Sequence, residues 1–114
     1  MVSEIRTPEI GILFAQAGFD FFFIDMDHSP FTMEMVSDMV LAARASGISP
    51  IVRPPGRTLS ENLSRSLDAG AEGLLIPQIQ TQEDVKNVIK WCRYNPLGER
   101  RMALTRWKLS LRDG

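Results

Sequence analysis

A single cysteine is all that this 114-residue chain has for covalent cross-linking. Cys92 has no partner within the chain, which excludes a disulfide scaffold and fits a reducing compartment. Its place inside a helical pattern reads as a buried apolar filler. No HExxH, paired CxxC or EF-hand spacing occurs, so the familiar local metal motifs are absent. Nor is there an excess of charge. Thirteen Lys and Arg against fourteen Asp and Glu leave a formal net charge of -1, so no overall field draws the chain to nucleic acid or an anionic membrane. Long hydrophobic runs are missing too. Phe19 to Ile24 is broken by Asp20 and is too short for a bilayer span or a signal segment. These absences predict a cytoplasmic protein with neither nucleic acid nor membrane as a partner. No linker, low-complexity tract or domain boundary interrupts the chain.

What is present is an ordinary globular composition, 44% hydrophobic and 24% charged, and a repeating alternation of two periodicities. Thr7-Pro8 starts a short helix through Ile10, Ile12, Leu13, Phe14 and Ala17, stopped by Gly18. Phe19 to Asp25 is aromatic and β-rich over a length too short for a helix, and reads as a largely buried strand. Thr32 caps a helix with Met35, Val36, Met39, Val40 and Ala43 at spacings of three and four, closed by Ser46-Gly47. Ile48 to Arg53 is a strand stopped by Pro54-Pro55-Gly56, and Leu59, Leu63 and Leu67 mark an amphipathic helix closed by Gly70. Gly73 to Ile76 reads as a third buried strand ended by Pro77. Thr81 then caps a helix with Val85, Val88, Ile89 and Cys92, broken at Asn95-Pro96-Leu97-Gly98. From Glu99 onward the pattern is a loop leading toward a helix carried by Leu104, Trp107 and Leu111. Strands separated by helices through short connections must run parallel with helical crossovers, so the class is α/β. The strand-helix unit recurs about every 25 residues as a structural repeat.

In parallel α/β folds the working face lies at the carboxyl ends of the strands. Here those ends are polar: Asp25-Met26-Asp27-His28, Arg53, and Pro77-Gln78 place two carboxylates, an imidazole, a guanidinium and an amide on one rim. His28, the only histidine, is an acid/base candidate because an imidazole titrates near neutral pH, or else a surface histidine without chemistry. Arg53 can hold a carboxylate or a developing enolate oxygen through its fork, or else form a salt bridge across the rim. Asp25 and Asp27 alternate along an extended backbone and could meet a metal directly or through water; alternatively one caps the following turn and the other is solvated. Asp68, beside Ala69-Gly70 at a helix end, reads by pattern as a solvated or turn-capping residue. Met26, Met33, Met35 and Met39 read as packing.

The string from Gly18 through Asp25-Met26-Asp27-His28-Ser29-Pro30-Phe31 resembles the GFD…(I/L)D-x-E-H-x-P segment of the HpcH/HpaI aldolase family. In matching order come Pro50-Ile51-Val52-Arg53-Pro54, Leu67-Asp68-Ala69-Gly70-Ala71, Leu74-Leu75-Ile76-Pro77 and Arg93-Tyr94-Asn95-Pro96-Leu97-Gly98-Glu99-Arg100. The resemblance covers roughly residues 8 to 101. It implies part of a (β/α)8 TIM barrel of the phosphoenolpyruvate/pyruvate-binding type, with about three parallel strands and four helices present. A complete barrel takes about 250 residues, so residues 1–114 are expected to be a single fragment of that domain, lacking its first strand and C-terminal half.

The implied activity is that of a class II aldolase, cleaving hydroxylated 2-oxo acids to pyruvate and an aldehyde with a divalent metal such as Mg or Mn as Lewis acid. The resemblance implies His28 as acid/base, Asp68 as its hydrogen-bonded partner, Arg53 as the substrate-binding group that stabilises the enolate, and Asp25 as a contact to metal-bound water. It also implies that the direct metal ligands, a Glu and an Asp, lie beyond Gly114, so activity is expected to need chain not present here. A homo-oligomer is expected, because an open run of parallel strands exposes edges and an unclosed apolar face. Two departures stand out: Asp27 occupies a position usually held by Glu, and Arg101 replaces the second Gly of a G-x-R-G turn. The alternatives are a citrate lyase β-like acyl-CoA lyase and a non-catalytic assembly module.

Overall fold

A computed structural model describes residues 1–56 and 60–100. Its elements alternate as expected: α1 (Glu9–Gln16), β1 (Phe21–Asp25), α2 (Met33–Ala45), β2 (Ser49–Arg53), α3 (Ser60–Asp68), β3 (Gly73–Leu74) and α4 (Gln82–Cys92). The strands form one parallel sheet in the order β1-β2-β3. Each helix carries the chain back so that the next strand runs the same way. The register sets Phe21 beside Ser49, Asp25 beside Arg53, and Val52 beside Leu74. Outside β1, Val2 pairs in parallel with Ile24; its N–H donates to the Phe23 carbonyl at 2.7 Å and its carbonyl accepts from Asp25 N–H at 2.9 Å.

The period of two along each strand decides which side chains meet the helices. Phe22 and Ile24 of β1 and Pro50 and Val52 of β2 are buried on the helical side. There they join Val36, Met39, Val40 and Ala43 of α2 and Ile10 of α1 in the core. Fully burying one such aliphatic side chain stabilises the fold by roughly 1.5–3 kcal/mol. Gly11 permits the close approach of α1 to α2, since a Cβ built there would lie 3.1 Å from that of Ala43.

The other face of the sheet carries Phe21, Phe23, Ile51 and Leu75, ending in Asp25 and Arg53 at the carboxyl end. This face is open among the described residues, and that corrects two expectations. The first strand is not largely buried: Phe19 and Phe21 are 59% and 54% exposed, because only one side of β1 packs against helices. The third strand is Gly73–Leu74 rather than Gly73 to Ile76, and is half-buried. Leu75 N–H still donates to Val52 at 2.9 Å, but no described strand pairs with the far edge of β3.

Both predicted threonine caps form. Thr32 Oγ1 accepts from Met35 N–H at 3.3 Å, and Thr81 exchanges bonds with Asp84 in a capping box. The helix anticipated around Leu104, Trp107 and Leu111 lies outside the described residues, as does Arg101. Among the described residues no helix is long and apolar enough to cross a membrane.

Candidate functional site

The carboxyl end of the sheet is organised by one carboxylate. Asp25 closes β1 level with Arg53, which closes β2, and their side chains leave the same face of the sheet. Arg53 donates to Asp25 twice, Nε to Oδ1 at 2.9 Å and Nη2 to Oδ2 at 2.7 Å. This two-pronged geometry fixes the guanidinium plane. Arg53 Nη1 takes no part in the fork, and the arginine side chain keeps 22% exposure against 3% for Asp25.

The same Asp25 carboxylate shapes the turn that follows. Its Oδ1 accepts from the N–H groups of Asp27 at 2.9 Å and His28 at 3.3 Å, the self-bonding turn that aspartate favours. Ser29 Oγ donates to the Asp25 carbonyl and accepts from Phe31 N–H. Met26 N–H reaches the Arg53 carbonyl at 2.9 Å, tying the turn to β2. The turn raises His28 into solvent, its side chain 72% exposed, with Nε2 3.3 Å from the mostly buried Asp27 carboxylate.

These contacts account for the electrostatics. The Arg53 hydrogen bonds hold the Asp25 carboxyl down at about 2, from an ordinary 3.8. Burial opposes that shift, while the Asp27 and His28 N–H groups and the Arg53 charge support it. Reciprocally, bonding to Asp25 raises Arg53 above its usual range. Both groups therefore stay ionised at neutral pH, and the guanidinium edge outside the fork, which makes no hydrogen bond among the described residues, remains a fixed positive donor.

Of the residues singled out from sequence, Asp25, Arg53, Asp27 and His28 meet at this rim. For the open alternatives, Asp25 caps the turn and pairs with Arg53 at once, and Asp27 faces His28 rather than solvent. Asp68 does not join them within this chain. It ends α3, where the chain turns to enter β3, and therefore lies at the opposite end of the sheet. There it accepts from Arg100 Nη2 at 2.7 Å, and the Arg100 guanidinium stacks on Tyr94 at 4.6 Å. Sequence reading gave no role to Ser29 or Arg100. The Asp-x-Asp-His-Ser-Pro string was a usable signal for Ser29, since hydroxyls commonly stabilise such turns. Nothing local announced Arg100, whose partner is 32 residues away.

Among the described residues no group of three or more His, Cys, Asp or Glu side chains could hold a metal ion. Asp25 has both oxygens engaged by Arg53. The described residues therefore do not form a direct metal site, though a remaining lone pair on Asp25 can accept from a water.

Comparison with known proteins agrees with the parallel α/β fold. The sequence profile of the HpcH/HpaI aldolase/citrate lyase family matches residues 6–109. The 4-hydroxy-4-methyl-2-oxoglutarate aldolase cghB of Chaetomium globosum is 35% identical over 101 residues, 89% of this chain and 38% of that protein. The hydroxypyruvate/pyruvate aldolase of Roseobacter denitrificans is 36% identical over 100 residues, 87% of this chain and 37% of that protein. Among solved structures, an HpcH/HpaI aldolase from Desulfitobacterium hafniense DCB-2 superimposes with a TM-score of 0.85 at 34% identity, covering 90% of this chain and 39% of that one. The chain thus spans a little over a third of the length of the curated relatives it matches.

Proposed function

The chain belongs to the HpcH/HpaI aldolase/citrate lyase family, and from that premise we propose that it supplies the acid/base and oxyanion-binding part of a carbon-carbon lyase. Its substrates are hydroxylated 2-oxo acids, cleaved to pyruvate and an aldehyde. The observation that carries this reading is the Asp25–Arg53 fork, which leaves Arg53 Nη1 outside it as a fixed donor on the rim that also carries His28, at the carboxyl ends of β1 and β2.

In the reaction His28 accepts the proton of the substrate's C4 hydroxyl, either directly or through a water. The C3–C4 bond breaks, the hydroxyl carbon leaves as an aldehyde, and the bonding pair moves through C3 and C2 onto the C2 oxygen as an enolate. Arg53 stabilises that developing charge, which is why a donor held in place before the reaction is worth more than a mobile one. Protonation at C3 then gives pyruvate, and His28 is the group suited to return the proton. Asp25 keeps the guanidinium oriented and can contact a bound water. A divalent cation of the Mg or Mn kind, which class II aldol chemistry uses as a Lewis acid, would take its ligands from outside the described residues. The isolated chain is therefore expected to turn over little substrate.

Asp68 keeps its place in the family's Leu67-Asp68-Ala69-Gly70 segment but is bonded to Arg100 far from the rim. A role beside His28 would need Asp68 from a second copy, in keeping with a homo-oligomeric cytoplasmic enzyme. Pyruvate release from a 4-hydroxy-2-oxo acid by the intact native protein tests the reading. We expect release that a chelator abolishes and Mn restores. Cleavage of an acyl-CoA thioester instead would favour the acyl-CoA lyase, and silence in both assays with intact assembly would favour a non-catalytic module.

A further inference from the structure

Three described strands end at the rim, and the proposed reaction uses only two of them. The third leaves β3 through Leu75-Ile76-Pro77 and arrives at Gln78, the only non-glycine residue with positive φ among those described, at 59°. That left-handed conformation suits Gly, and to a lesser degree Asn or Asp, because a Cβ crowds the following carbonyl. Gln gains nothing local in return. Its side chain is exposed and makes no hydrogen bond among the described residues. An outlier of this kind at a strand end is a pointer to function rather than to packing.

The sheet register says from which point of the rim the Gln78 loop leaves. Asp25 is level with Arg53, and since Val52 is level with Leu74, Arg53 is level with Leu75. His28 is therefore three residues beyond this line on the β1 side, and Gln78 is three residues beyond it on the β3 side. Two strand spacings set the ends of β1 and β3, from which these loops leave, roughly 10 Å apart, with Arg53 on the central strand between them.

We propose that Gln78 is a specificity-determining residue whose carboxamide hydrogen-bonds the uncharged oxygen at C4, the hydroxyl of the substrate and the carbonyl of the departing aldehyde. A carboxamide suits this oxygen because it both donates and accepts, matching a hydroxyl before cleavage and a carbonyl afterwards. The inference rests on the aldolase reading and goes beyond it by assigning the aldehyde half of the substrate to the β3 loop.

The test separates the two halves of the substrate in the intact native protein supplied with Mn. Exchange of the pyruvate methyl protons into deuterated water, followed by NMR, needs only enolate formation at Arg53. Cleavage of a 4-hydroxy-2-oxo acid needs the aldehyde contacts as well. Gln78→Ala keeps the same backbone penalty as Gln, and Gln78→Gly removes it, so neither threatens the fold. Both variants are expected to lose about tenfold in kcat/KM for cleavage, the worth of one neutral hydrogen bond, with exchange unchanged. Gln78→Asn is expected to recover part of the loss. Cleavage at the native rate in both variants would overturn the assignment and leave Gln78 as a turn residue. An equal fall in exchange and cleavage would overturn it in favour of a contact to the pyruvate half. Absence of exchange in the unsubstituted protein would overturn the aldolase reading, and this inference with it.

Discussion

Replacing Arg53 with Met removes the donor that holds Asp25 ionised while keeping most of the apolar length of the side chain. In the native fold Arg53 is the leading cause that brings Asp25 from 3.8 to about 2, against the opposing effect of burial. At 1.36 kcal/mol per pKa unit, the depressed carboxyl contributes about 2 kcal/mol of stability. A group with a depressed folded pKa gives that stability fully above its unfolded value, and loses it as pH falls from about 4 through about 2. Without Arg53, only the Asp27 and His28 N–H groups oppose burial, so the Asp25 pKa rises from its native value and a buried carboxylate must be held at pH 7 without a cation. The loss at neutral pH is expected to be about 3 kcal/mol, the scale found when one partner of a buried pair is deleted. It should shrink steadily below pH 4, where a protonated Asp25 no longer needs a cation. Urea denaturation of both proteins at pH 7 and pH 3 reads the difference, and carboxyl NMR of Asp25 reads its titration directly. An equal loss at both pH values, or an Asp25 that still titrates near 2 in the variant, would refute the reasoning.

Three further outcomes follow from the packing. Thr81→Ala removes the acceptor for Asp84 N–H at 3.1 Å and should cost about 1 kcal/mol in urea denaturation; no change would mean that Asp84 caps α4 unaided. Met39→Ala empties a fully buried position in α2, with an expected cost of roughly 2–5 kcal/mol by the same measurement. Gly11→Leu should lower the thermal midpoint by several degrees, because even a Cβ at that position meets Ala43 at 3.1 Å; an unchanged midpoint would show that α1 can move away from α2 freely.

How far the sequence could be read depended on how local each signal was. The caps at Thr32 and Thr81 were legible because a side-chain oxygen bonding two or three residues ahead depends on little else. The ends of β1 and β2 were legible because polar residues begin at Asp25 and Arg53 runs into prolines. Burial was read less well. Phe19 and Phe21 look like core by residue type, yet a strand is buried on both faces only when something covers both. β3 is shorter than its apolar run for the same reason, having a described neighbour on one edge only. The candidate site divided along the same line. Polar strand ends placed His28 and Arg53 on one rim, because parallel topology alone aligns those ends. The fork between Asp25 and Arg53 spans 28 residues and depends on a register that no local pattern states. The bond between Asp68 and Arg100 is equally non-local, which is why Asp68 could be joined to His28 only by resemblance.

Arg53→Lys tests the central claim most directly, since lysine keeps the positive charge beside Asp25 but gives up the planar fork and the spare Nη1 donor. The measurement is the rate of pyruvate release from a 4-hydroxy-2-oxo acid by the intact native protein and by the variant, with folding of both checked by circular dichroism. If Arg53 stabilises the enolate as a fixed donor, kcat should fall by about a hundredfold or more while the fold is retained, the scale seen on removing an oxyanion donor. A folded variant that releases pyruvate at the native rate would contradict the account and reduce Arg53 to a structural partner of Asp25.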